Sequence, residues 1–208
     1  MITTAEFKSQ IAKPFGREMQ KLGFKGTGLN YFKENNDFLF SIHVGSTWGG
    51  NCTVGLAIHP KRIDKNGRGK LDLKKLGYPR YEFRMSLSET ARGEHWDYSD
   101  IETENLQTLD KIIKVIKAKA LPVVKLYSQS PTLLDQFEVA DLENFHVNYT
   151  KRTGTSIATT DIRFAWAMAI FFEFENPIKA KLFAEYGISQ LTPDNTFFGR
   201  VDLERILR

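Results

Sequence analysis

The chain has 208 residues, of which 41% are hydrophobic and 26% charged, with 16 phenylalanines. This composition excludes a disordered polyelectrolyte and supplies enough large apolar side chains for a substantial core. The single cysteine, Cys52, excludes an intramolecular disulfide framework and any zinc site built from several thiolates. The net charge of +4 is unevenly placed: positions 61–80 hold eight cations and two anions, so that stretch carries +6 and the rest of the chain −2. Such a loop can steer an anionic partner; the alternative reading is a solvated connection kept soluble by lysines. Residues 1–6 lack the basic and apolar regions of an export signal, and the longest apolar run, 164–172, falls short of the ~20 residues of a membrane-spanning helix. The expected address is the cytoplasm.

In chain order, Thr3 or Thr4 caps a first helix running to about Leu22, with Phe7, Ile11, Phe15, Met19 and Leu22 on one stripe. Pro14 is expected to kink or split it, and Gly23 to stop it. A short strand follows at 29–33, and Asn35-Asn36-Asp37 turns it into a second strand at 38–45. In that strand Phe38, Phe40, Ile42 and Val44 alternate with Leu39, Ser41, His43 and Gly45. Beyond the glycine-rich loop 46–51, Cys52, Val54, Leu56 and Ile58 alternate with Thr53, Gly55, Ala57 and His59. Successive strand side chains point to opposite faces, so both runs show one apolar and one wetter face.

Residues 60–79 lose this pattern and read as a long loop with a helical turn near 71–76. Residues 81–87 alternate again as a fourth strand, and 95–98 form a short fifth strand or a turn. An amphipathic helix over 102–120 presents Leu106, Leu109, Ile113, Ile116 and Ala120; Pro122 allows a break before a further helix at 123–127. The remainder is helical: 131–137 opened by Ser130-Pro131, a buried helix over 161–175, a helix from Asn176-Pro177 to Tyr186 before Gly187, and a last one at 199–207. The stretch 141–149 fits no single pattern, and 151–156 reads as a polar loop.

Several of these features resemble the bacterial family called domain of unknown function 4304. They are Leu22-Gly23-Phe24-Lys25 after the first helix, the aromatic strand Asn30-Tyr31-Phe32, and the strand pair at 38–44 and 53–58. Arg92-Gly93-Glu94-His95-Trp96 and the helix ending at Ala120-Leu121-Pro122 complete the set. The resemblance covers about residues 5–127 and leaves out the tail from Ser128. It brings no catalytic residues to transfer, and it implies a small interaction or immunity protein.

The chemistry-bearing residues form no catalytic signature. His43, His59, His95 and His146 lack the spacing of a zinc hydrolase; His43 and His59 share the wetter face of adjacent strands and read as surface histidines. Cys52 reads as a small buried hydrophobe. Glu94, Asp97, Asp100, Glu102 and Glu104 surround Trp96 and read as favourable charge at a helix N-terminus, with Arg92 within pairing range. Tyr78 and Tyr81 beside the basic loop suggest base stacking, but the acidic remainder of the chain argues against nucleic acid.

The expectation is an α+β protein: an antiparallel sheet of four to five strands packed by helices on one face (1–127), with a helical C-terminal subdomain (128–208). It is expected to bind another protein without catalysis, metal or cofactor, toxin neutralisation included, and neither nucleic acid nor membrane is an expected partner. Trp48, Arg62, Lys65, Arg68 and Trp96 are the expected contact residues, from their placement in or beside loops. The rival reading is a small-ligand protein or enzyme using the polar sheet face with His43, His59 and the acidic cluster.

Overall fold

The computed structural model describes residues 2–46, 51–66, 69–89, 95–192 and 196–208. Thr3 opens helix α1 (Thr4–Lys21) with a capping box: its hydroxyl accepts from the Glu6 amide, and the Glu6 carboxylate accepts from the Thr3 amide at 2.8 Å. Phe7, Ile11, Phe15 and Met19 are all buried. The helix continues through Pro14 rather than splitting there. Two buried anchors lie on each side of the proline, and their burial outweighs the ~3 kcal/mol that an interior proline costs. Gly23, at φ 79°, ends the helix.

The strands are β1 (Lys25–Thr27), β2 (Asn30–Glu34), β3 (Phe38–Ser46), β4 (Asn51–Pro60), β5 (Lys65–Asn66), β6 (Gly69–Lys70), β7 (Phe83–Ser86) and β8 (Trp96–Asp97). Six of them form one antiparallel sheet in the order β1-β2-β3-β4-β7, with β8 also pairing β4. The β3–β4 register places Phe40 opposite Ile58, Ile42 opposite Leu56 and Val44 opposite Val54, so the apolar alternation seen in each strand coincides on one face. That inner face packs on α1 and on α2 (Glu102–Val115). The two helices run parallel: Asn105 Nδ2 donates to Gln10 Oε1 at 2.6 Å near their starts, and Lys117 Nζ to Glu18 at 3.0 Å near their ends.

No break occurs at Pro122. A wide π turn, Ile116–Ala120, joins α2 directly to α3 (Leu121–Ser128), with the Leu121 amide bonded to the Ile116 carbonyl five residues back. Widening the turn relieves the crowding that a proline ring imposes on the preceding turn.

Ser130-Pro131 does not open the expected helix. Thr132 and Asp135 exchange hydrogen bonds instead and support one 3₁₀ turn, Leu134–Gln136. A second 3₁₀ stretch, Val139–Asn144, leads into α4 (Phe145–Thr153), which takes up half of the expected polar loop and stops at Gly154 with φ 71°. The helices α5 (Asp161–Phe172), α6 (Pro177–Ser189) and α7 (Arg200–Leu207) follow. Thr160 caps α5 through the Arg163 amide at 3.2 Å, and Asn176 caps α6 through the Lys179 amide at 3.1 Å. Helix α5 is buried continuously from Phe164 to Phe172, as its all-round apolarity requires. Helix α6 runs past Gly187, where the missing side chain lets Leu203 of α7 approach.

The buried residues form one hydrophobic cluster that runs from α1 through the sheet into α5 and α6. Phe38 stacks on Phe171 with centroids 5.4 Å apart, Phe83 meets Phe164 at 5.4 Å, and the Tyr149 hydroxyl donates to Met85 Sδ at 3.7 Å. The architecture is α+β, an antiparallel sheet with helices on its inner face and a helical C-terminal part sharing the same core.

Candidate functional site

The outer face of the sheet carries Asn30, Phe32 and Glu34 from β2, Leu39, Ser41 and His43 from β3, and Gly55, Ala57 and His59 from β4, as the paired registers dictate. Residues 71–81 fold over the β3–β4 half of this face. Leu71 is buried and donates its amide to the Asp64 carbonyl at 2.7 Å, and Asp72 caps a 3₁₀ turn at Leu73–Lys75. A second turn, Tyr78–Arg80, lays the Tyr78 ring on Gly55, where any side chain would collide with its phenol. Tyr78 also stacks on His43 at 5.0 Å, and Tyr81 meets His59 edge-on at 6.0 Å while hydrogen-bonding Ser41. Burial pushes the Tyr81 phenol up to about 12 and raises that of Tyr78.

Beside this cover the β2 side of the face stays open, and a cavity of about 430 Å³ lies between the two. Phe32, Leu39, Leu73, Leu76, Tyr78 and Tyr81 supply its apolar wall. Among the lining residues Lys61 Nζ pairs with Glu34 Oε2 at 2.6 Å, and Lys74 is exposed. The Glu34 carboxyl is held below its usual range by the Lys61 ammonium.

The two strand histidines are not brought together. His59 faces Leu39 and His43 faces Gly55, four residues along β3, which separates them by about 13 Å. Nor are both on the surface. His59 is fully buried, with Nε2–H donating to the Ile63 carbonyl at 2.7 Å and Nδ1 accepting the Glu82 amide at 3.2 Å. Burial pushes its pKa down to about 4; His43 is lowered too, first by burial and then by the charge of Lys8. Among the described residues no group of three or more His, Cys, Asp or Glu side chains is placed to hold a metal ion. In the acidic stretch, Asp100 accepts from the Ile2 amide at 2.6 Å, and Glu102 and Glu104 sit in the first turn of α2.

Trp48 and Arg68, together with Arg92 and Glu94, lie outside the described residues. Arg62 and Lys65 both pair with groups of the C-terminal part, Lys65 remaining half-exposed. Arg62 donates to the Phe171 carbonyl at 2.7 Å and to the Glu175 carboxylate, and Lys65 pairs with the buried Asp202 at 2.6 Å. The structure therefore brings these two together against the C-terminal helices. Trp96 opens a two-residue strand, but its ring is not offered at the surface. It lies in β8 opposite Cys52, is only 7% exposed, and donates its indole N–H to the Leu87 carbonyl at 3.1 Å. Its ring completes the inner core, where a large apolar surface with one satisfied donor is most stable.

The cavity was missed by sequence reasoning. Its one legible signal is Gly55, a glycine in a strand otherwise rich in branched side chains, which marks close approach by another segment. No curated protein matches the chain, and no solved structure does. The family model described as domain of unknown function (DUF4304) matches residues 15–126, more than half of the sequence, and the chain belongs to that family.

Proposed function

We propose that this chain is a non-catalytic protein-binding module of the bacterial cytoplasm that engages an acidic partner protein through residues 69–80, in the manner of a toxin-neutralising immunity protein. One observation carries the reading: Lys70, Lys74, Lys75 and Arg80 are all exposed on a segment pinned to the sheet by Leu71, Tyr78 and Tyr81. A pinned cationic surface loses little freedom on binding, and its charge speeds encounter with an acidic partner. Trp48 and Arg68 remain contact residues of the proposal on sequence grounds. Arg62 and Lys65 pair with groups of the C-terminal part, and Trp96 serves the core.

The test starts with a photo-crosslinking amino acid placed at Lys75 and, as a remote control, at the exposed Val147. A single protein captured in the native cells from position 75 and absent from position 147 is expected. Its purified form should bind the wild-type chain about 100-fold more tightly than a Lys70→Glu, Lys75→Glu, Arg80→Glu variant. Co-expression should relieve growth arrest by that partner. Equal capture at both positions, or affinity indifferent to charge reversal, would overturn the proposal.

A further inference from the structure

The cavity on the outer sheet face has its own chemistry, although Lys74 belongs both to its lining and to the cationic surface beside it. At about 430 Å³ it falls within the range of small-molecule sites, and its wall is mainly aromatic and leucine. Phe32 is 51% exposed although it stands beside Tyr81 and Tyr78, which are largely withdrawn from water. A half-exposed phenylalanine bordering a concave apolar wall leaves ring surface that a flat ligand would cover.

The charges decide what kind of flat ligand fits. Glu34 is the carboxylate among the lining residues, and Lys61 neutralises it at 2.6 Å. Lys74 then leaves the site with a net positive charge. Of the polar lining residues, Ser41 already hydrogen-bonds Tyr81 and the Asn30 side-chain oxygen already bonds His43, so recognition of charge falls to the lysines. We propose that this cavity binds a small planar aromatic anion of the arylcarboxylate class, its ring against Phe32 and the tyrosines and its carboxylate towards Lys74. The proposal does not require a protein partner: Lys74 is shared with the cationic surface, but Lys75 and Arg80 lie outside the cavity lining, and the naphthoate titration contains no protein ligand.

The probes are 2-naphthoate and its neutral counterpart 2-naphthalenemethanol, titrated calorimetrically into the intact protein. Saturable 1:1 binding of naphthoate is expected, about tenfold tighter than the alcohol. Phe32→Ala should weaken naphthoate about tenfold, and Lys74→Glu should abolish the preference for the anion. Both side chains are exposed, so an unchanged melting temperature in each variant keeps the test free of folding effects. Absence of saturable binding, equal affinity for both probes, or naphthoate affinity untouched by both variants would overturn the assignment. So would binding of the acidic peptide Glu-Glu-Phe-Glu-Glu through Phe32 without binding of naphthoate, which would make the cavity a side-chain pocket for a protein.

Discussion

Acidification should destabilise this protein through His59, and the effect can be calculated. Both ring nitrogens are engaged, one donating to the Ile63 carbonyl and the other accepting the Glu82 amide, and the ring is 0% exposed. A second proton would displace the Glu82 amide and place a charge in the core. Burial therefore lowers the pKa from 6.5 to about 4. The unfolded chain protonates this histidine near its ordinary value, whereas the folded chain resists until about pH 4. Between those values the unfolded state binds more protons, so the stabilising effect is complete above the upper limit and is lost as pH falls through the window. Going from pH 7 to pH 5 should remove about 2 kcal/mol of unfolding free energy through this residue alone, rising to about 3 kcal/mol below pH 4. Urea unfolding of the wild type and of His59→Gln at both pH values measures it. The variant will be less stable throughout, but its loss on acidification should be smaller by that amount. Parallel losses in the two proteins would refute the reasoning.

Other expectations follow from the same core. Arg163→Met strips the guanidinium from the Glu82 carboxylate, which is 1% exposed, and should lower stability by about 3 kcal/mol, more than Glu82→Gln, which leaves an arginine already a third in water. Urea midpoints for the two variants check the order, and the reverse order would contradict it. Ending the chain at residue 127 uncovers Phe38, Phe83 and Tyr127, whose rings pack on or beside α4 and α5. The fragment should associate on gel filtration and lose its near-ultraviolet circular dichroism, and a monomeric fragment with a cooperative transition would show this wrong. The Cys52 thiol is buried and pushed up to about 12, so at pH 8 iodoacetamide should modify it only as fast as the protein unfolds.

Much of the framework was legible because it is written in local periodicity. The alternation at Phe38–Phe40–Ile42–Val44 and at Cys52–Val54–Leu56–Ile58, the α1 stripe, the all-round apolar α5 and the Asn176-Pro177 start each depend on neighbours within a few residues. Strand β1 is three residues long, too short for a period of two to register. The segment over the outer face carries no period because its conformation is set by distant contacts such as Tyr78 on Gly55. Charge counting found the basic loop but not its partners, since Arg62 and Glu175 lie 113 positions apart. Trp96, set among polar neighbours, looked like an exposed anchor until its pairing with β4 placed the ring inside.

The stacking of Phe38 on Phe171 joins a residue inside the family-matched segment to one outside it, and Phe83–Phe164 and Met85–Tyr149 repeat the arrangement. Positions 38, 83 and 85 are thus constrained by a tail that the family match does not include. Their history should be tied to that tail: where a relative ends differently, these three positions should change with the ending. Transplanting residues 128–208 onto another member's sheet would require Phe38, Phe83 and Met85 to travel with them.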